Sequence, residues 1–429
     1  MVILRIVSLV LLFAVPGCLF SGTPPESPNT VHYYQFSLPG FNATFDPLIK
    51  RFHQLHPGYR VQVHQLPTGT DDQHQFYMTH LKTRGSGRID VLALDVIWMA
   101  EFARAGLLSS LNEILPEEEW NDFFAPSVQA GTFRETRYGV PLFVDSGVMY
   151  SRKDLLQKHG FSKPPATWGE LVTMVQTIKQ AEGDDRLHGF VWQGRQYEGL
   201  VCNFMEFLPR DESWLLPGNG KRLNRALIEP RLRFMRRLLT DGVSPRSVLA
   251  MAEESSRHVF QNGRAVFMRN WPYAWRLLQQ PDSPVAGRVW MSPLPAVERG
   301  EAGHGTLGGF LLGMHRDTPV PEAAQAWIAF LTRPDVQHEL WLKLGLTPAR
   351  KSVLEGAPPL DAPPVNVLFE AMEQAVPRPT MPLYMPLSQS LQAYLNGGLG
   401  EVYSMDEAIR LIDADLQRLT RVLDDETGT

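Results

Sequence analysis

The stretch IDVLALD at residues 89–95 decides the fold. Between Asp90 and Asp95 it is apolar without a break and rich in branched side chains, as a strand buried on both faces reads. Working back from it, DDQHQFYMTHLKTR (71–84) has helical character and YRVQVHQL (59–66) has strand character. From Phe41 to His56 apolar residues recur at helical spacing through Phe45, Leu48, Ile49, Phe52 and Leu55, and Pro57-Gly58 stops that helix. VHYYQFSL (31–38) precedes it as another strand. The resulting β-α-β-α-β wind predicts a parallel sheet whose ligand site lies beyond the carboxyl ends of the strands. Asp95 stands at one such end.

Beyond residue 95 the α/β pattern continues. Helices are expected at WMAEFARAGLL (98–108) and across 111–124, before RYGVPLFVDSGVMYSR (137–152) presents two short strands that carry the chain into a second lobe. Helical segments are expected over 154–159, 168–181, 196–208, 225–239 and 253–262. AVFMRNW (265–271), RVWMSPLP (288–295) and FLLGMH (310–315) read as strands. Helices follow over 321–331 and 335–344, a proline-rich stretch from 347 to 364 breaks regular structure, and helices over 365–375 and 405–423 close the chain.

At 429 residues the chain exceeds one ordinary core at about 150 residues per domain. Two lobes are the simplest fit. With 44% hydrophobic and 20% charged residues it can fill both. Its 41 basic residues nearly balance 46 acidic ones and form no basic run, which argues against a nucleic-acid partner. A monomer is expected.

Near the amino end, Arg5 is followed by an apolar run from Ile6 to Val15, too short to span a membrane and suited to a signal peptide over residues 1–18. Val15-Pro16-Gly17-Cys18 resembles a bacterial lipobox, although Pro16 departs from the usual pattern. Lipidation of Cys18 would anchor the protein to a membrane, with the Pro- and Ser-rich residues 19–30 as a flexible tether. Only Cys202 then remains, so no internal disulfide can form. Within LVCNFMEFL it reads as a small buried hydrophobe.

Chemistry motifs are sparse. The 12 histidines are scattered without metal-ligand spacing, and no nucleophile elbow or Walker A loop occurs, so neither metal nor cofactor is expected. Gly303 to Gly308 fits G-x-G-x-x-G, but a strand follows where a dinucleotide fingerprint needs a helix. What gathers instead at strand ends and turns is acidic and aromatic: Asp95, Asp145, Tyr197, Glu198, Asn270, Trp271, Tyr273 and Trp275. Carboxylates accept bonds from paired hydroxyls, and aromatic faces cover the C–H faces of a pyranose, so the set suits a carbohydrate. Taken singly, an aspartate at a strand end also serves as a cap, and a tryptophan beside proline also serves as core.

RNWPYAW (269–275) resembles the aromatic motif of the family 1 solute-binding proteins, the maltose- and trehalose-binding proteins of ABC importers. DVLALDVIWMAEFARAGLL (90–108), GVPLFVDSGVMYSRKDLL (139–156), WQGRQYEGLVCNFMEFL (192–208) and HGTLGGFLLGM (304–314) are similar to other segments of that family, in unbroken order. The resemblance implies a two-lobed periplasmic-binding-protein fold of type II, maltose-binding-protein-like, with a hinge and an interlobe cleft. It implies residues 31–142 with 296–343 in one lobe, 143–287 with 350–425 in the other, and crossings near 140–146, 287–296 and 343–350.

It further implies that Asp95 and Asp145 bind sugar hydroxyls, that Trp271 and Tyr273 stack on or edge the sugar, and that Gly308 and Gly309 offer backbone contacts. Phe310 falls where relatives commonly carry Trp, which keeps apolar cover and loses a donor. Arg378, in VPRPTMPLY, matches a basic residue used against the sugar; a solvated loop arginine is the alternative. Tyr197 and Glu198 complete the expected set, and Asn42, Thr68 and Asp71 are further candidates. The implied function is extracytoplasmic capture of a sugar and its delivery to an ABC permease. Two rivals share these residues: a secreted glycoside hydrolase using Asp95 and Asp145 as acid and base, and a sugar sensor.

Overall fold

A computed structural model describes residues 28–427 except 39, 68, 83–87, 217–220, 357–362 and 380. Cys18, the signal peptide and most of the tether lie outside the described residues, as does Thr68. The strands that build the two sheets are β1 (Thr30–Gln35), β2 (Arg60–Gln65), β3 (Val91–Asp95), β4 (Gly139–Ser146), β5 (Val148–Arg152), β6 (His188–Val191), β7 (Ala265–Asn270), β8 (Val289–Ser292) and β9 (Leu307–Met314). The helices used below are α1 (Phe41–Leu55), α2 (Thr70–Lys82), α3 (Trp168–Glu182), α4 (Glu198–Met205), α5 (Glu253–Gln261), α6 (Pro321–Leu331), α7 (Pro334–Leu344), α8 (Val365–Gln374), α9 (Tyr384–Leu399) and α10 (Met405–Thr427).

The first sheet has the order β2-β1-β3-β9-β4. The expected wind forms its parallel half, with β1 central between β2 and β3. Every residue of β3 is buried, as its apolar run requires. β9 lies antiparallel to β3 on one side and to β4 on the other. The helices pack through aromatic rings: Trp327 of α6 meets Tyr33 of β1 at 5.8 Å and Phe52 of α1 at 4.9 Å, both edge-on. Full burial of such a ring is worth roughly 2–3 kcal/mol, so this contact ties the return segment to the amino-terminal wind.

The second sheet has the order β8-β5-β7-β6. Trp168 at the start of α3 stacks on Phe207 at 4.3 Å and reaches Phe190 of β6 at 5.7 Å, closing the core on that side. β6 is absent from the sequence reading, because HGFV is too short for its alternation to register. Over 111–124 only one helical turn forms, Glu117–Trp120, after Pro116. Proline fixes the chain at the start of that turn and lets no longer helix run through.

Three segments join the lobes. Gly147 alone separates β4, in the first sheet, from β5, in the second. The second crossing lies later than the expected 287–296, because β8 still pairs in the second sheet: it leaves Ala296, which bridges Thr167, and arrives at Leu307, which pairs with Ser146. The third also lies later than expected. Arg350 holds the chain to the first lobe through ion pairs to Glu119 (2.6 Å) and Asp122 (3.3 Å), and its guanidinium sits 4.5 Å from the Phe123 ring. α8 stays on the same lobe, with Phe369 against Phe124 at 5.7 Å. Only after Val376, which bridges Thr306, does the chain reach α9, packed on α4 and α10. The crossing expected near 343–350 is therefore at about 376–384.

Candidate ligand-binding cleft

The antiparallel register of β9 brings separated residues to one rim. Phe310 pairs with Asp95 at the end of β3, and Gly308 pairs with Asp145 near the end of β4. The register slips between Phe310 and Leu311, leaving Leu142 of β4 without an opposite residue, as in the bulges found beside binding sites. Asp145 accepts from the Thr347 hydroxyl at 3.0 Å. Burial pushes its carboxyl up to about 8, against the opposing pull of the Thr347 bond and of the Arg269 charge. Burial thus favours its neutral form, which can both donate to and accept from a hydroxyl.

Trp271 comes from the other lobe, immediately after β7. A Cβ placed on Gly308 would lie 2.9 Å from its indole ring and 3.6 Å from the Asp145 Cβ, so only glycine lets the ring come this close. Gly309, at φ +113°, also needs glycine, and it passes against the β4 backbone at Phe143 and Val144. The Trp271 carbonyl accepts from the Tyr150 hydroxyl at 2.8 Å and its Nε1 donates to Glu253 at 3.4 Å. Phe310 is half-buried in a cluster with Phe36 (4.4 Å) and Phe143 (5.6 Å), so the expected apolar cover is built from three rings.

Beneath the rim a charge network crosses between lobes. Arg378 is 5% exposed, which sets aside the solvated alternative. It donates to Asp95 (3.1 Å), to the Leu307 carbonyl (3.3 Å) and to Glu198 (2.8 Å). Glu198, 3% exposed at the start of α4, also accepts from Tyr384 at 2.6 Å and from Ser388. Both Glu198 oxygens are thus already filled by protein donors. Asp95 also caps the turn after β3 through the Ile97 amide at 3.2 Å. Burial holds the Asp95 carboxyl above its usual range, Arg378 opposing and the Glu198 charge reinforcing the rise.

Asp71 lies in the first turn of α2, its carboxyl within reach of the Glu198 charge. Burial first and the Glu198 charge second lift it to about 6, against a bond with Gln392. Tyr273 donates its hydroxyl to Glu254 at 2.8 Å, and its backbone comes within 3.3 Å of where a Gly345 Cβ would sit, a second interlobe contact. Tyr197 is buried under the Arg195 guanidinium, 4.6 Å from the ring centre. Asn42 does not join the group: it is exposed and accepts from Gln65 at the sheet edge at 3.0 Å. Cys202 is buried, its thiol pushed up to about 12 by burial, as its apolar setting predicts. Gly303–Gly308 runs into strand β9, so no helix N-terminus waits there for a phosphate.

Sequence reading missed Tyr384, Ser388 and Gln392, all on α9, together with Thr347, Arg269 and Glu206. The α9 residues share the helical spacing 384, 388, 392, a signal interrupted by Pro386.

Comparison with known proteins places this architecture. Residues 37–338 match the family described as bacterial extracellular solute-binding protein. A probable ABC transporter-binding protein of Deinococcus radiodurans is 30% identical over 370 residues, covering 84% of this chain and 87% of that one. Maltose-bound MalE3 of T. maritima superposes with a TM-score of 0.81 at 36% identity, covering 91% of this chain and 99% of that one. A solute-binding protein of Agrobacterium vitis with bound D-mannitol has the same fold, with a TM-score of 0.76 at 19% identity, covering 93% and 99% of the respective chains. These relatives are binding proteins, which sets aside the hydrolase reading of Asp95 and Asp145. The chain belongs to the bacterial extracellular solute-binding protein family, with a two-lobed, maltose-binding-protein-like fold.

Proposed function

We propose that the protein captures a glucose disaccharide such as maltose or trehalose between its lobes and delivers it to the permease of an ABC importer, tethered outside the cytoplasm by a lipid on Cys18. The observation that carries this reading is the meeting of Trp271 with Gly308 beside Asp145, where an aromatic face and a carboxyl from opposite lobes share one rim. A pyranose needs both: the ring covers its C–H face and the carboxyl exchanges bonds with its hydroxyls. The match to maltose-bound MalE3 of T. maritima supports a glucoside, whereas the D-mannitol complex supports only the shared fold.

In this reading Asp145, Trp271, Tyr273, Gly308, Gly309 and Phe310 contact the sugar, and Asp71 and Tyr197 border it. Asp95, Glu198 and Arg378 form the floor that holds the rim in place. A ligand touching both lobes stabilises the closed arrangement, and the permease reads the closed surface. Calorimetric titration with maltose, trehalose, sucrose, maltotriose, mannitol and glucose tests the proposal. Saturable binding of maltose or trehalose is expected. Glucose release from either disaccharide, or heat from mannitol alone, would overturn it.

A further inference from the structure

A buried ion pair lies behind Trp271, and sugar contact does not account for it. The side chains of Arg269 and Glu206 are 0% and 1% exposed. Arg269 Nε donates to Glu206 Oε2 at 2.9 Å, Nη2 donates to Glu206 Oε1, and Nη1 donates to Gln193 Oε1 at 3.3 Å. Gln193 is locked in turn by donating to the Ser256 hydroxyl at 2.7 Å and to the Arg269 carbonyl at 2.9 Å. The guanidinium so held lies 4.0 Å from the centre of the Trp271 ring.

The pair also touches two of the three lobe crossings. Glu206 Oε1 accepts the Thr306 amide at 3.2 Å, in the second crossing. A Cβ at Gly147, the first crossing, would strike Glu206 and would lie 2.6 Å from Arg269 Nη2. Two charges taken fully out of water are poorly explained by stability, because well-packed apolar residues of similar volume generally serve it as well. A planar cation fixed on three sides does something apolar packing cannot: it attracts the face of an indole and sets its tilt.

We propose that Arg269, held by Glu206 and Gln193, is a positioning residue that presets the Trp271 ring against Gly308 in the sugar-free protein. Glu206 references that ring to the Thr306 crossing, so the stacking face and the hinge are aligned by one ion pair. This rests on Trp271 being the ring that the sugar meets. Arg269→Lys keeps a charge for Glu206 but loses the planar fork.

The test compares wild type, Arg269→Lys, Trp271→Ala and the double variant by near-UV circular dichroism without ligand and by calorimetry with maltose. The expected result is that Arg269→Lys abolishes the near-UV band that Trp271→Ala also removes. It should also raise Kd by about tenfold in the wild-type background and by less than about twofold in the Trp271→Ala background. An unchanged near-UV band, or equal Kd increases in both backgrounds, would overturn the proposal. Should wild type bind no maltose, the sugar reading fails at that step, while the ligand-free band still decides the role of Arg269. If Arg269→Lys does not fold, the uncharged pair Arg269→Met with Glu206→Met replaces it, with the same loss of the band expected.

Discussion

Asp95 and Glu198 come from opposite lobes and share one guanidinium, that of Arg378, at 3.1 and 2.8 Å. All three are buried. Removing the cation leaves two carboxylates facing each other out of water, and breaking such a pair costs about 3–5 kcal/mol. Arg378→Met is therefore expected to lower the unfolding free energy of the sugar-free protein by that order, measured by urea denaturation. A small stability loss with a large loss of sugar affinity would instead assign Arg378 to the ligand.

Trp271→Ala should weaken sugar binding by about 2–3 kcal/mol through lost stacking and burial, with little change in urea midpoint. Calorimetry checks the affinity. Unchanged affinity with a lowered midpoint would return Trp271 to the core.

Gly308→Ala tests the approach of the lobes rather than a side chain of the site. The added methyl would sit 2.9 Å from the indole, so the ring must withdraw. The φ of Gly308 is not in the left-handed region, so the backbone accepts alanine without strain. Sugar affinity is expected to fall by about 1–3 kcal/mol, as for overpacking, with an unchanged far-UV spectrum.

The raised carboxyl of Asp145 makes a pH prediction. Its folded value of about 8 lies above the unfolded value near 3.9, so the folded state holds the proton more tightly through that interval. This contribution to stability is fully present below the unfolded pKa and is lost as pH rises through the folded pKa near 8. His53, His188, His304 and His315, all lowered by burial, act in the opposite direction below their ordinary value of 6.5. The difference between wild type and Asp145→Asn isolates the carboxyl. Between pH 6.5 and 8 the midpoint of wild type should fall relative to Asp145→Asn. Parallel profiles would show that Asp145 is ionised throughout.

Much of the first lobe was legible because its strands are apolar runs and its helices carry a clear apolar face. α1 begins where its periodicity does, at Phe41, and α6 spans the expected residues 321–331. Asp95 and Asp145 were legible because they stand at strand ends, whereas Gly308, ahead of the strand expected at 310–315, came only from the family resemblance. α9 was hidden by its own breakers. Pro386 falls in its first turn, where backbone N–H groups have no partner to lose. Gly397 and Gly398 fall in its last turn, where α10 and the preceding loop press in: a Cβ at Gly397 would lie 2.6 Å from the Tyr403 ring and one at Gly398 3.0 Å from the Ala408 Cβ. With α9 unseen, the partners of Glu198 were unseen, and a carboxylate with no visible donors reads as one waiting for a sugar.

Gly147 is the whole of the link between β4 and β5. A joint of one residue has no slack, so the lobes cannot slide or separate there. A change in their angle must be taken up as torsion at that residue and its immediate neighbours. Were the lobes to turn about it, the rim at Asp145, two residues from that joint, would move through a smaller arc than the outer edges of the lobes.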